Sequence, residues 1–218
     1  MKKFIYQNGL ALVFGTLFLI TLAAQMCFGF QEHNKELADW GGKPENFGQY
    51  LSSGHFIEAT FENWESEFLQ MALYVWLTIF LRQKGSSESK KLDEDNQVDR
   101  EPSATRKDAP WPVRKGGFWL KIYENSLTVS LFILFILSFV LHIYGSIKDA
   151  NTENALVGNP PEQLSEYILG SRLWFESFQN WQSEFLSIFA IVVMTIYLRQ
   201  KGSPQSKPVD APHSETGD

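Results

Sequence analysis

The chain contains 218 residues, carries a formal net charge of −6, and is 44% hydrophobic and 15% aromatic. The negative balance argues against a nucleic-acid partner, because no basic face is present to neutralise phosphates. The single cysteine, Cys27, excludes an internal disulfide and a zinc site of the multi-cysteine type. Apolar residues are concentrated in a few uncharged runs, which is typical of an integral membrane protein.

The first uncharged run, residues 10–30, has 21 residues, enough for a helix to cross a hydrocarbon core of roughly 30 Å. Lys2 and Lys3 before this run, and small residues towards its end, would also suit a cleaved signal peptide. An equally uncharged run at residues 126–147 lies in mid-chain, where no signal peptide can stand. We therefore predict two retained transmembrane helices, over about residues 10–30 and 126–147.

A second apolar element follows each of these runs. Residues 61–90 match residues 178–207 at 18 of 30 positions without a gap, at a shift of 117 positions that pairs further residues along most of the chain. Each copy contains an uncharged stretch of only 14 residues, which is short for a membrane span. An apolar stripe at helical spacing extends each stretch upstream, so we predict helices over about residues 55–83 and 172–200.

The predicted fold is an all-α membrane protein with four transmembrane helices, built from two parallel tandem helical-hairpin repeats. The first repeat covers residues 1–90 and the second covers residues 118–207. Residues 91–117 form a polar linker whose composition is typical of a solvated tether, and residues 208–218 form a tail.

The distribution of basic residues predicts the orientation of these helices. Only four of the 19 Lys and Arg residues lie in the two outer segments, residues 31–67 and 148–184. The positive-inside rule therefore places both termini and the linker in the cytoplasm, and the two repeats point the same way.

Four polar residues are predicted to share one depth in the membrane: Glu67, Glu184, Gln25 and His142. Glu67 and Glu184 lie fifteen residues, about 22 Å, before Arg82 and Arg199, and Gln25 lies fifteen residues after Leu10, with His142 as its repeat equivalent. All four are hence roughly 7 Å below the outer boundary of the hydrocarbon core. An acid at that depth is costly and is a functional candidate by default. Beside an imidazole it would bind or relay a proton or a cation.

The alternative is that these acids lie in the headgroup region, where the motifs NWESEFL and NWQSEFL anchor a helix. In that interpretation the asparagines bond to local backbone and the tryptophans form an aromatic belt. The residues of this interface motif are Asn63, Trp64, Ser66, Asn180, Trp181 and Ser183.

The repeated segment LRQKGSxxSK predicts a basic inner face formed by Arg82, Lys84, Arg199 and Lys201. This face would bind anionic lipid headgroups or a cytoplasmic partner, or would provide ordinary positive-inside anchoring.

Two H-x-x-E spacings in the first outer segment would place metal ligands on one helix face. They are His33 with Glu36 and His55 with Glu58. The second repeat has Ala150 and Arg172 at the histidine positions, so we predict no metal site. No cofactor or catalytic motif is present, so no cofactor or catalytic residue is assigned and we do not expect an enzyme.

With its duplicated NWxSEFL and LRQKGSxxSK motifs and the segment YQNGL at residues 6–10, the chain resembles an uncharacterised family of small, duplicated bacterial membrane proteins, a domain of unknown function. The resemblance covers nearly all of the chain. It implies a multi-pass protein of the bacterial cytoplasmic (inner) membrane and supplies no activity or site residue.

The sequence leaves three function classes open. We expect a non-enzymatic membrane module that binds a protein or lipid partner, because the chain is small and lacks catalytic motifs. The alternative is a small oligomeric transporter or channel for protons or cations, supported by the Glu67 and Glu184 layer and the parallel repeats. A membrane-embedded enzyme is suggested only by the histidines. The expected partners are the lipid bilayer and either a membrane protein or further copies of the chain.

Overall fold

The computed structural model describes residues 2–217, and all regular secondary structure in that range is helical. The four long helices are α1 (Lys2–Asp39), α3 (Gly54–Leu77), α6 (Ser126–Val157) and α8 (Ser171–Tyr197). The shorter helices are α2 (Phe47–Tyr50), α4 (Trp111–Lys115), α5 (Gly117–Glu124) and α7 (Leu164–Leu169), with a 3-10 turn at Gln97–Asp99. The all-α class predicted from the sequence is confirmed.

Helices α1 and α6 continue well beyond the apolar runs that predict them, which end at residues 30 and 147. Both end at a glycine in the left-handed region, Gly41 (φ +74°) and Gly158 (φ +79°). At the first of these, the Gly42 N–H donates to the Leu37 carbonyl at 2.7 Å. This backbone bond is that of a Schellman motif, which glycine favours because it lacks a Cβ atom.

Helices α3 and α8 end earlier than predicted, at Leu77 and Tyr197 instead of residues 83 and 200. Arg82 and Arg199 follow each end and donate to nearby carbonyls, including Ile79 O at 3.1 Å and Ile196 O at 3.2 Å. The basic side chain thus satisfies carbonyls that a longer helix would have bonded internally.

Among the described residues, α1 and α6 are the two helices long and apolar enough to cross a membrane, where the sequence predicts four. Helix α3 carries three glutamates even in its last 18 residues and is excluded by charge, whereas the last 18 residues of α8 carry only Glu184 and are not apolar enough because they begin with the polar segment NWQSE. The most apolar part of α1 has no buried residue. A helix with so much exposed apolar surface is unusual in water.

The described chain divides into two compact units. The first unit comprises the residues up to Phe61 together with Val140–Leu173, and the second comprises Glu62–Phe139 together with the residues from Trp174 onwards. Each unit draws residues from both sequence repeats.

The first unit contains the hydrophobic core formed by Ala150, Tyr167 and Leu173. Tyr50, which the 117-residue shift pairs with Tyr167, is equally buried and packs its ring against Phe56 at a centroid distance of 5.4 Å. Burial raises the pKa of the Tyr50 hydroxyl above its ordinary value. We call residues 31–61 and 148–173 of this unit the polar head.

The polar head repeats one hydrogen-bonded clasp at positions related by the 117-residue shift. The Glu45 N–H donates to Asn34 Oδ1 at 2.6 Å, and the Asn34 amide donates back to the Glu45 carbonyl. Asn151 and Glu162 form the same two bonds, the first again at 2.6 Å. The clasps fix each loop against the helix before it, because both backbone groups of one residue are bonded to one side chain.

In the second unit, the linker forms ion pairs, where the sequence predicts a solvated tether, and the tail is also bonded to the rest of the unit. Lys90, the last residue of the first repeat, pairs with Asp99 of the linker, and Lys91 pairs with Glu94 within the linker. Lys207, only 1% exposed, donates from Nζ to three carbonyls of the tail, those of Pro212, His213 and Glu215. The tail is therefore held around a buried ammonium group.

Candidate functional site

The four residues of the predicted membrane-level layer belong to different units. Gln25 and His142 lie in the first unit, and Glu67 and Glu184 lie in the second. Gln25 donates to Thr60 Oγ1 at 3.2 Å, and His142 is fully buried. The shared depth of the four residues stays a prediction.

Within the second unit, Glu184 lies in a small polar cluster that includes a residue the sequence analysis missed. Gln70 Nε2 donates to the Glu184 carboxylate at 3.0 Å and to Ser187 Oγ at 2.8 Å. Glu67 is exposed. Gln70 also lines an apolar cavity of about 540 Å³ formed by side chains of α3, α8 and the segment after α3.

The interface motif forms the local backbone bonds expected of it. The Asn180 amide donates to the Glu176 carbonyl at 3.1 Å, as the sequence predicts for an asparagine of this motif. The serines add bonds that the sequence analysis did not assign: Ser66 donates to the Asn63 carbonyl and Ser183 donates to the Asn180 carbonyl, both at 2.8 Å. A short hydroxyl reaches the carbonyl three residues back in a helix.

Trp181 of the same motif bonds to a buried acid. Its Nε1–H donates to Glu65 Oε1 at 3.1 Å, and Glu65 is fully buried. The ring also packs edge-on against Phe178 at 5.4 Å. Glu65 was not singled out in the sequence because its repeat equivalent is Gln182, which carries no charge.

Two of the four residues of the predicted basic inner face bond to the backbone of the protein itself. Arg82 and Arg199 donate to carbonyls at the ends of α3 and α8. Lys84 and Lys201 are exposed, and their side chains form no hydrogen bond or ion pair within the described range. Two of the four residues therefore remain available to an anionic ligand.

The polar head brings together the histidines and acids of the first outer segment. His55 Nε2 lies 3.6 Å from Glu36 Oε2, and His33 Nε2 lies 3.4 Å from Glu45 Oε2. The two imidazole rings are 4.9 Å apart between centroids. The sequence analysis considered His55 only with Glu58 of the same helix, whereas the structure also brings it close to Glu36 of α1.

Arg172 occupies a second cluster of the polar head. Its guanidinium lies 3.0 Å from the carboxylate of Glu153, 3.4 Å from that of Glu58 and 3.5 Å from that of Asp149. Glu58 and Asp149 are largely buried, so the guanidinium neutralises charges that water reaches poorly.

The two clusters are related by the sequence repeat. A shift of 117 residues converts Glu36 and His55 into Glu153 and Arg172. The fold therefore places a basic side chain beside a glutamate at the same position in each half. The second repeat uses a permanent cation there, and the first uses an imidazole.

Several residues of these clusters escaped the sequence analysis, namely Glu45, Asp149, Glu153 and Arg172. The 117-residue repeat could have identified Arg172 and Glu153. Position 172 was treated only as the loss of a histidine, whereas a basic residue facing an acid is kept in both halves.

These features define an all-helical protein with two helices apolar enough to cross a membrane and a polar head rich in charged contacts. The chain belongs to the family described as Domain of unknown function (DUF6766), whose model matches residues 1–218. The resemblance to an uncharacterised family is thereby confirmed. Comparisons with curated proteins and with solved structures give no match.

Proposed function

We propose that the protein is a non-enzymatic, multi-pass module of the bacterial inner membrane that binds a partner protein through its polar head. The observation that carries this proposal is the change in burial and polarity along α1. Its most apolar window has no buried residue, whereas its polar extension buries His33 and Leu37. The apolar part of α1 is therefore placed in the lipid bilayer, and its polar extension belongs to a folded region outside the bilayer.

In this proposal the chain crosses the bilayer four times, with both termini and the linker in the cytoplasm. Helices α1 and α6 have the necessary length alone. Helices α3 and α8 would cross with their uncharged parts, residues 68–81 and 185–198, which span about 21 Å if fully helical. Glu67 and Glu184 then stand at the outer boundary and the basic residues at the inner one.

The polar head is the better candidate for partner binding than the basic inner face. It contains nine acidic and four basic residues, and it exposes the large apolar side chains of Trp40 (56%) and Leu169 (86%). Aromatic and aliphatic side chains inside a charged rim are typical of protein interfaces. We expect a partner with a basic rim around an apolar patch.

The test is affinity purification of the full chain in mild detergent, followed by mass spectrometry of the recovered proteins. The head variant Trp40→Ser/Leu169→Ser is compared with the inner-face variant Lys84→Ala/Lys201→Ala. We expect one partner with the parent and with the inner-face variant, and its loss from the head variant. Retention by the head variant with loss from the inner-face variant would contradict the proposal.

A small oligomeric transporter or channel for protons or cations is the second candidate function. The observation in its favour is the contact of Glu184 with Gln70 and Ser187, a polar cluster on otherwise apolar parts of α3 and α8. Flux of protons and of potassium into liposomes is the measurement. Flux that disappears in Glu67→Gln/Glu184→Gln supports this candidate, and absence of flux in the parent excludes it.

A further inference from the structure

We propose that the polar head binds one divalent transition-metal ion of the zinc type. The ligands are His33 and Glu36 of α1 and His55 of α3, with Glu45 from the segment between these helices as the fourth. Two imidazoles and two carboxylates are a donor set that zinc accepts. An ion there would join the end of α1 to the start of α3.

The distances group donor atoms of His33, Glu36 and His55, and Glu45 adjoins this group through His33. One donor atom from each of His33, Glu36 and His55 lies within 4.8 Å of the other two. The His55–Glu36 and His33–Glu45 separations are 3.6 and 3.4 Å. In a tetrahedral zinc site with bonds of about 2.0–2.1 Å, neighbouring ligand atoms lie about 3.4 Å apart. A neutral hydrogen bond would be shorter.

Burial of the donor atoms is a second, independent observation. His33 is only 4% exposed. His33 Nε2, His55 Nδ1 and Glu45 Oε2 are each buried without a hydrogen-bond partner among the described residues. Buried polar atoms are almost always satisfied, because an unsatisfied one costs about 1–3 kcal/mol. A metal ion would satisfy His33 and Glu45 directly.

The second repeat has a positive charge beside the glutamate that is equivalent to Glu36. There Arg172 supplies a permanent positive charge to Glu153, the equivalent of Glu36, at 3.0 Å. In the first repeat, Glu36 pairs with His55 and Glu45 pairs with His33. Lys35 also acts on Glu36, but its exposed ammonium group is paired with Glu32. A divalent cation would supply a permanent positive charge beside the two carboxylates, as Arg172 does beside Glu153 in the other half.

The site is accessible to an ion. A cavity of about 180 Å³ reaches His33 and Glu45 and is also lined by Lys148. The Lys148 ammonium group donates to the carbonyl of Ser52, which also lines this cavity. Glu36 has a half-exposed side chain and offers a second approach.

The experiment measures zinc and cobalt binding to the full chain in detergent, purified with a tag free of histidine and stripped of metal by a chelator. The variant His33→Ala/His55→Arg copies Ala150 and Arg172, so its arginine is placed to pair with Glu36. We expect one zinc per parent chain, tetrahedral cobalt bands in the visible spectrum, and at least about hundredfold weaker zinc binding in this variant.

Two single substitutions distinguish the loss of a metal ligand from a general loss of folding. Glu36→Gln keeps the shape of the site and is expected to weaken zinc binding, whereas Glu153→Gln, at the equivalent position of the second repeat, is expected to leave it unchanged. Added zinc should raise the melting temperature of the parent and not that of the double variant. Absence of zinc binding by the parent, or equal binding by parent and Glu36→Gln, would overturn the proposal.

Discussion

At the scale of single residues, Arg172 is the basic side chain of the polar head around which several acidic side chains gather. It faces three carboxylates, two of which are largely buried, while its own side chain is 38% exposed. Its exposure means that water screens part of each interaction. The buried partners would still be left uncompensated if the guanidinium were removed.

We therefore expect Arg172→Ala to lower the free energy of unfolding by about 2 kcal/mol, less than the 3–5 kcal/mol typical of a fully buried ion pair. The measurement is thermal unfolding in detergent. Arg106→Ala is the matched control, because Arg106 lies exposed in the linker. An Arg172→Ala variant as stable as this control would show that the cluster contributes little.

At the same scale, the sequence analysis considered each histidine only with the acid three residues later on its own helix. Spacing along one helix pairs His33 with Glu36, and this part of the pattern is visible in the sequence. The contact of Glu36 with His55 joins residues from two helices, α1 and α3. It depends on how the intervening segment folds, which no local spacing encodes.

At the scale of helices, two glycines permit a close approach of α3 and α6 within the first unit. A Cβ atom on Gly145 would lie 2.4 Å from the Glu58 backbone nitrogen, and one on Gly54 would lie 2.2 Å from that of Asp149. These atoms belong to helix backbones and cannot rotate away. The two helices must separate to admit even a methyl group.

We expect Gly145→Ala to destabilise the protein by about 1–3 kcal/mol through this overpacking. Gly15→Ala is the control, since Gly15 lies in α1 with open space around its Cα atom. In an ordinary helix, alanine at that control position gains up to about 1 kcal/mol. Equal melting temperatures for the two variants would contradict the close contact.

The docked tail is a second helix-scale feature that can be tested. Lys207→Ala removes the ammonium group that bonds to three tail carbonyls. We expect the tail to open at least about tenfold more often, because even one hydrogen bond to a charged group contributes roughly 1.5–3 kcal/mol, and about 1.4 kcal/mol is a factor of ten in an equilibrium constant. Limited proteolysis followed by mass spectrometry reports cleavage after residue 207. Unchanged cleavage relative to Lys201→Ala would show that the tail is held by other contacts.

The starts of α3, α6 and α8 were predictable from the sequence, whereas α1 begins at Lys2 instead of residue 10 and the helix ends differ from those predicted. The predicted starts at residues 55, 126 and 172 lie within one residue of Gly54, Ser126 and Ser171. The sequence analysis ended α1 and α6 at the first charged residues. Charged residues do not end a helix, and both helices continue through them beyond the apolar run. The true ends are set by Gly41 and Gly158, whose role depends on a backbone motif.

At the scale of the whole molecule, the repeat was readable from the sequence, and the clasps of Asn34 and Asn151 show that equivalent residues form equivalent bonds. The number of membrane spans was harder to read. Two helices satisfy the criteria of length and apolarity, and α3 and α8 do not. Their assignment depends on where the bilayer boundary meets Glu67 and Glu184.

Cysteine labelling from one side of the membrane tests the four-span proposal most directly. In a Cys27→Ser background, single cysteines replace Lys43 in the head, Lys107 in the linker or Lys201 near the C-terminus, all exposed positions. A membrane-impermeant maleimide is added to cells with a permeabilised outer membrane. We predict labelling of Lys43→Cys in intact cells, and of Lys107→Cys and Lys201→Cys only after lysis. Labelling of Lys43→Cys and Lys107→Cys from the same side would contradict four spans, because it requires α3 not to cross.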